Sequence, residues 1–255
     1  MIDIHCHILH GIDDGAKTLE DSLRMAEAAA KEGIRSIIAT PHHKNGRYNN
    51  VKEEILKRVD ELNLSLQSAQ IDLTVLPGQE TRIYGEILED IEKNEILTLN
   101  NTGKYLFVEL PSNHVPRYTD KLLYDIQVKG MTPVIVHPER NQEIIERPDL
   151  LYKLVRNGTL TQVTASSVAG YFGKKIKNFS LQLIDANLIH FVSSDAHNIE
   201  NRSFKMLEAL EQIRKKYGTD MVYYFTENAE LLAEGSNVYR DIPEPIKKKK
   251  FLGIF

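Results

Sequence analysis

Two histidines one residue apart, His5 and His7, end the opening segment Ile2-Asp3-Ile4-His5-Cys6-His7. In an extended strand successive side chains alternate faces, so both imidazoles point one way and Cys6 points the other. Two imidazoles about 7 Å apart on one strand face can share a metal ion or a pair of ions. A lone His-x-His is more often two ordinary histidines, so the chemistry depends on further ligands elsewhere in the chain.

Those ligands fall at the ends of successive apolar runs. The second run ends in Thr40-Pro41-His42-His43, the third runs into Pro77-Gly78-Gln79-Glu80, and the fourth ends in Phe107-Val108-Glu109. The fifth ends in Val136-His137-Pro138-Glu139-Arg140 and the seventh in Ser193-Ser194-Asp195-Ala196-His197. Only the sixth end, Thr164-Ala165-Ser166-Ser167, lacks a His, Glu or Asp. Each residue alone reads as a solvated carboxylate or a loop histidine. Independent surface residues would not gather at one end of successive strands. His5, His7, His42, Glu80, Glu109, His137, Asp195 and His197 are therefore the candidate metal ligands. One ion needs three or four donors, so eight suit two or three ions. Mixed imidazole and carboxylate donors point to manganese, iron or zinc, not to calcium or magnesium alone.

The elements that must position these residues alternate. Strands are expected at 2–6, 34–40, 71–76, 105–110, 133–137, 160–165 and 189–194. Helical spacing covers 19–32, 49–68, 84–94, 118–129, 141–157, 174–187, 202–216 and 227–234. Thr18 and Asp21 form a capping-box pattern before the first helix, and Gly33 is a plausible stop. Seven β-then-α units in series predict an α/β fold with a parallel sheet and crossover helices. A closed barrel is favoured, with an open doubly wound sheet as the alternative. In such barrels functional groups collect at the C-terminal strand ends, where these residues lie.

The composition is that of an ordinary globular protein: 255 residues, 42% hydrophobic and 27% charged. A net charge of −4 argues against a nucleic-acid partner. The single cysteine excludes an internal disulfide framework and fits a reducing compartment. No 18-residue apolar run and no signal-peptide pattern is present, so a cytoplasmic location is expected. Residues 1–240 read as one domain and 241–255 as a basic and apolar tail. Its lysines, Lys247 to Lys250, precede Phe251-Leu252-Gly253-Ile254-Phe255. Weak contact with an anionic membrane surface, at roughly 1 kcal/mol per lysine, is the functional reading of that tail.

Multi-metal centres of mixed imidazole and carboxylate donors hydrolyse phosphate esters, by attack of a metal-activated hydroxide on phosphorus. A guanidinium should stand nearby to bind the phosphate, and Arg140 and Arg202 both follow ligand-bearing strand ends. Asp13 and Asp14 lie on the first βα loop. Asp-Asp-Gly is turn chemistry, and either carboxylate could also protonate a leaving group or orient a ligand histidine. A cysteine-based phosphatase needs an arginine on a tight phosphate loop; Ile12 stands six residues beyond Cys6. Cys6 is read as a buried strand residue facing helices.

The segments D-I-H-C-H-I-L-x-G-I-D-D-G, T-P-H-H, P-G-Q-E, V-x-H-P-E-R and S-S-D-A-H, in this order from residue 2 to about 240, resemble the polymerase and histidinol phosphatase (PHP) superfamily. The nearer resemblance is to its metal-dependent bacterial tyrosine-protein phosphatase branch of the capsule and exopolysaccharide type. That resemblance implies a distorted (β/α)7 TIM-like barrel and a three-metal centre, often manganese-dependent. It implies hydrolysis of phosphotyrosine on a membrane-associated bacterial tyrosine autokinase that controls capsule or exopolysaccharide synthesis. It assigns the eight ligands above, takes His42 over His43, and puts Arg140 near the phosphate. His10 stands where similar enzymes often have proline, and could reach the site. The alternatives are a small-molecule phosphatase, such as one acting on histidinol phosphate, and a non-catalytic metal-binding scaffold. A deep, closed pocket favours the small substrate; a shallow rim favours a protein tail.

Overall fold

The computed structural model describes residues 1–246. The chain runs β1 (Ile2–Cys6), α1 (Leu19–Lys31), β2 (Ser36–Ala39), β3 (His42–His43), α2 (Lys52–Ser68), β4 (Thr74–Pro77), β5 (Glu80–Arg82), α3 (Ile87–Glu92) and β6 (Tyr105–Glu109). It continues through α4 (Thr119–Val128), β7 (Thr132–Val136), α5 (Gln142–Glu146), α6 (Asp149–Arg156), β8 (Leu160–Thr164), α7 (Ala165–Ala169), α8 (Lys174–Asp185), β9 (Phe191–Ser193), α9 (Met206–Tyr217) and α10 (Thr219–Ala233). Short 3₁₀ turns occupy Leu99–Asn101 and Pro138–Arg140.

Every strand pairing is parallel, in two sheets ordered β1-β2-β4 and β3-β5-β6-β7-β8-β9. The fold is thus a parallel α/β architecture, with no continuous closed ladder among the described residues. The break has local causes. Pro41, which has no N–H to donate, follows the second predicted strand and separates β2 from β3. Gly78 follows the third and separates β4 from β5. A Cβ there would lie 2.6 Å from Ile38 Cγ2 and 3.1 Å from the Ala39 carbonyl, so only glycine lets the bend approach β2. Beyond β9, Ala196 pairs with Cys6 in an isolated parallel bridge, and His7 N–H donates to the Ala196 carbonyl (2.9 Å).

Both faces of the strands are covered, as parallel sheets require. On β6, Tyr105 and Phe107 join an inner core with Ile4, Ile38, Val134, Leu160 and Phe191, while Leu106 and Val108 face the outer helices. A register shift between Asp3 and Cys6 lets Ile4 face inward and Cys6 outward, although the two are separated by an even number of residues. The expected outward, buried Cys6 is what the structure contains. Helix α10 seals the inner core at the N-terminal strand ends with Ala229, Leu232 and Ala233. Asn228 Nδ2 donates there to the His190 carbonyl (3.2 Å), and Tyr105 Oη to the Ser236 carbonyl (2.6 Å). Among the described residues, no helix seals the opposite end, where the candidate ligands lie.

Several boundaries differ from expectation for identifiable reasons. The helix expected over 141–157 is two helices, because Pro148 restricts Arg147 and cannot donate. The last helix starts at Thr219, eight residues before the expected Glu227; its β-branched and aromatic first turns, Val222 to Phe225, do not favour helix until they pack. The Thr18–Asp21 capping box forms as expected, and Gly33 follows α1 with φ +79°. Residues 241–246 lie along the body, with Glu244 N–H donating to the Ala186 carbonyl (2.9 Å). The lysine run and apolar end expected to touch a membrane surface, residues 247–255, lie outside the described residues. Among the described residues no helix is long and apolar enough to cross a membrane.

Candidate metal centre

The parallel register delivers the ligands in opposed pairs. His42 on β3 faces Glu80 on β5, and Glu109 at the end of β6 faces Arg82 at the end of β5. His137 and Asp195, at the ends of β7 and β9, hold left-handed backbone conformations with φ +37° and +54°. Such conformations are unfavourable for residues other than glycine and mark sites where the surroundings over-determine the chain. Here they turn two functional side chains back over the sheet end.

The eight predicted ligands converge. His5 Nε2 and His7 Nε2 are 3.3 Å apart. Asp195 Oδ1 lies 3.4 Å from each, and Glu80 Oε2 lies 3.6 Å from His5 and 3.4 Å from His7. His42 Nδ1 is 2.8 Å from Glu80 Oε2 and 3.7 Å from Glu109 Oε2, and His137 Nε2 is 2.9 Å from Glu80 Oε1. The His197 ring stacks on His7 with centroids 3.7 Å apart. Asp14 joins them: its Oδ1 is 3.3 Å from His42 Nε2 and 3.4 Å from His197 Nε2.

Three overlapping donor groups result, each with ligand atoms within 4.8 Å of one another: His7, Asp14, His42 and His197; His5, His7 and Glu80; and His42, Glu80 and Glu109. The donors fit cations better than they fit one another. His42 Nδ1, Glu80 Oε2, Glu109 Oε2 and His197 Nε2 are all buried without a hydrogen-bond partner. His42 Nδ1 and Glu80 Oε2 are close but not aligned as donor and acceptor. Orphaned buried polar atoms are costly, and several aimed at one volume are what a missing cation leaves behind.

Electrostatics favour ionised Glu80 and Asp195 but oppose ionisation of Glu109. Burial raises the Glu80 carboxyl, but His42, His5 and His137 outweigh it and hold it well below the usual range. Burial likewise opposes ionisation of Asp195, and Arg140 and His5 overcome it. Glu109 is pushed up to about 7, by burial and then by the charge of Glu80. His137 is pushed down to about 4, by burial and the neighbouring Arg140, so its imidazole is a neutral donor at pH 7.

Both predicted arginines reach the centre. Arg140 Nη2 donates to Asp195 Oδ2 (2.7 Å), and its guanidinium carbon lies 5.5 Å from the Phe172 ring centroid. Arg202 Nη1 donates to Asp14 Oδ2 (3.2 Å), with Nη2 3.7 Å from Asp195 Oδ2. A cleft of about 250 Å³ bounded by His42, Glu109, His137, Asp195 and the two arginines opens over the donors. His43 faces away, buried edge-on to Tyr84, so His42 is the histidine at the site. His10 makes no hydrogen bond or ion pair with these groups among the described residues.

Sequence reasoning offered Asp13 as one residue that orients a ligand histidine and missed the others that hold the ligands. Gln162 Oε1 accepts from His5 Nδ1 (2.9 Å), and Arg82 Nη2 pairs with Glu109 Oε1 (3.1 Å). Asp13, read first as a turn residue, does both jobs: Oδ1 accepts from Gly15 N–H (2.9 Å) and Oδ2 from His7 Nδ1 (2.7 Å). Glu139 is buried and accepts from Thr164 Oγ1 (2.9 Å) and Ser167 Oγ (2.6 Å), which pins the turn carrying His137 and Arg140. Gln162 sits inward-facing on β8, the strand whose end carries no ligand; its inward parity was the available signal.

The fold and donor set define a parallel α/β protein that presents imidazoles and carboxylates for metal ions at one end of its strands. Residues 1–234 match the family described as capsular polysaccharide synthesis, CpsB/CapC, and the chain belongs to that family. It is 53% identical over 255 residues to the tyrosine-protein phosphatase YwqE of Bacillus subtilis, with all of both chains covered. A solved structure from the pair YwqE of Bacillus subtilis and CpsB of Streptococcus pneumoniae, metal-dependent tyrosine phosphatases, superposes with TM-score 0.95 at 53% identity, covering 97% of this chain and 100% of the other. The phosphotriesterase homology protein of Escherichia coli, at 11% identity, TM-score 0.57 and coverage of 91% and 98%, shares the fold alone.

Proposed function

We propose that this chain is a metal-dependent phosphatase that hydrolyses phosphotyrosine on proteins, and that its substrate is a membrane-associated bacterial tyrosine kinase of capsule or exopolysaccharide synthesis. The phosphatase reading rests on family membership and on the relatives named above. The kinase rests on the capsule context of the family. A cytoplasmic location follows from that partner, whose phosphorylated segment faces the compartment that holds ATP.

The eight predicted ligands hold two or three divalent ions, manganese first, with Asp14 as a ninth donor. The observation that carries this is the convergence of donors from six strand ends and the first loop on one small volume, four of their ligand atoms buried without a hydrogen-bond partner. Glu80, Oε2 of which faces the imidazoles of His5, His7 and His42, would be among the residues that hold the ions. When bound, such ions supply Lewis-acid activation of water and neutralise charge on phosphoryl oxygens.

The chain's own residues do the rest. Arg140 and Arg202 bind the phosphate oxygens; both already point at carboxylates, and a phosphate can compete for the same N–H groups. Asp13 and Gln162 fix the tautomers of His7 and His5, leaving each Nε2 free as a donor. The phenolic leaving group has a pKa of about 10 and needs less protonation than an alkoxide, so a strong general acid is not required. The side chains of Asp14, Arg202 and Arg140 are 37%, 34% and 25% exposed. A phosphate on a protein tail can therefore reach them without entering a closed pocket, which favours a protein substrate over a small metabolite. The two sheets are read as one distorted seven-stranded barrel, supported by the Cys6–Ala196 bridge and by the fold shared with the phosphotriesterase homology protein.

The test is metal analysis of the purified protein, followed by activity on a phosphotyrosine peptide after chelation and add-back of manganese, iron or zinc. Recovery with manganese is expected. Full activity without any bound metal would overturn the reading.

A further inference from the structure

Loop 111–115, after β6, forms one side of the catalytic cleft and, on its other side, one wall of a second and larger cavity. Ser112 lines the cleft; His114 and Val115 line a groove of about 760 Å³ between α4 and α6. The loop is fixed rather than loose. Asn141 Nδ2 donates to the carbonyls of Pro111 (2.7 Å) and His114 (3.0 Å), and Val115 N–H donates to Glu143 Oε2 (2.8 Å). The groove therefore lies on the far side of this fixed loop from the cleft that holds the arginines.

Its lining has a definite character. Leu150, Leu154 and Val115 supply an apolar wall. Arg147 is neutralised by Glu143 at 2.9 Å, whereas Arg117 and Lys153 make no ion pair among the described residues. Asp120 is the one remaining acid, and it accepts from Asn157 Nδ2 (3.1 Å). Two free cations against one acid stand out on a chain of net charge −4. The groove also receives the first turn of the ten-residue α4, which has no side-chain cap. Thr119, 1% exposed, lines the groove at that turn, and its hydroxyl has no hydrogen-bond partner. The unpartnered Thr119 hydroxyl, a helix start without a side-chain cap and the two unpaired cations together favour a negative group, against the single acid Asp120 in that turn.

We propose that this groove is a second binding site, which takes an acidic segment of the substrate protein adjoining the phosphotyrosine held in the catalytic cleft. The proposal rests on the protein-phosphatase reading above. The apolar wall takes the body of the peptide, while Arg117, Lys153 and Thr119 take its carboxylates.

The test uses the double variant Arg117→Glu with Lys153→Glu in the intact metal-loaded protein. Substrates are a phosphotyrosine peptide flanked by glutamates, the same peptide with neutral flanks, and p-nitrophenyl phosphate. The expected result is a rise of about tenfold in KM for the acidic peptide alone, with kcat unchanged and the other two substrates unaffected. Binding of a fluorescent, unphosphorylated glutamate-rich peptide at low ionic strength should fall in parallel. An unchanged KM for the acidic peptide, or peptide binding indifferent to the charge reversal, overturns the proposal. Absence of turnover on every phosphotyrosine peptide, with charge-dependent peptide binding intact, would count against the catalytic reading and leave the groove assignment standing.

Discussion

Asp13 Oδ2 lies 2.7 Å from His7 Nδ1, so the far nitrogen of that imidazole is the one turned toward His5, Glu80 and Asp195. The carboxylate fixes the tautomer and raises the donor strength of the ring. Asp13→Asn keeps an oxygen for the Gly15 N–H but removes the charge. Metal affinity, or activity at limiting metal, is expected to drop about 10- to 100-fold, with little change in fold. Metal titration followed by calorimetry reads it; an unaltered binding isotherm would remove Asp13 from the centre.

Gly15 closes the same loop against the first strand. A Cβ on Gly15 would stand 2.0 Å from the His7 carbonyl oxygen and 2.5 Å from His7 Cβ. Gly15→Ala must therefore displace either the loop or the histidine, at a cost of about 1–3 kcal/mol, together with weakened metal binding. Gly85→Ala is the control, since nothing lies within 4 Å of the added atom there. Denaturant unfolding of the two variants should separate them; equal midpoints would mean the loop yields freely.

Cys6 is buried, and its thiol donates to the Ala196 carbonyl at 3.4 Å. Burial, reinforced by the charge of Asp3, pushes the thiol well above its ordinary range, so a thiolate is absent at neutral pH. Thiol-modifying reagents applied to the folded protein should leave phosphatase activity intact, while chelators abolish it. Rapid inactivation by iodoacetamide under native conditions would contradict this placement.

His190 lies at the other end of the strands, 2% exposed, where its Nδ1 accepts from Thr161 N–H at 3.2 Å. Burial, and then the charge of Arg240, pushes it down to about 3 from an ordinary 6.5. Below pH 6.5 the unfolded chain takes up a proton that the folded chain refuses, so stability falls as pH drops toward 3. The slope is about 1.4 kcal/mol per pH unit from this group. With chelator present to remove metal linkage, His190→Gln should lose stability less steeply between pH 6 and 4. Parallel unfolding profiles for both proteins would assign the acid sensitivity elsewhere.

The candidate ligands were legible in the sequence because parallel βα units send every strand end to the same side. A histidine or carboxylate that closes an apolar run is thereby placed before any contact is known. The supporting residues were not legible in the same way. Gln162, Arg82 and Glu139 are ordinary in their local windows, and their roles exist only across register pairs or between neighbouring strands. Local chemistry also decided where elements broke. Pro148 splits a helix that periodicity alone would run through, and Gly78 bends a strand for a steric reason visible only in Ile38. The start of α10 was hidden because Tyr223-Tyr224-Phe225 reads as strand-forming until it is packed.

The bridge between Cys6 and Ala196 spans 190 residues of chain. His5 and His7 emerge from the ribosome first among the donors; Asp195 and His197 emerge last. No nascent or truncated chain that ends before residue 195 can assemble the full donor set. Closure of the candidate donor set is thus deferred until residues 195–197 have been made and the first strand has met the last.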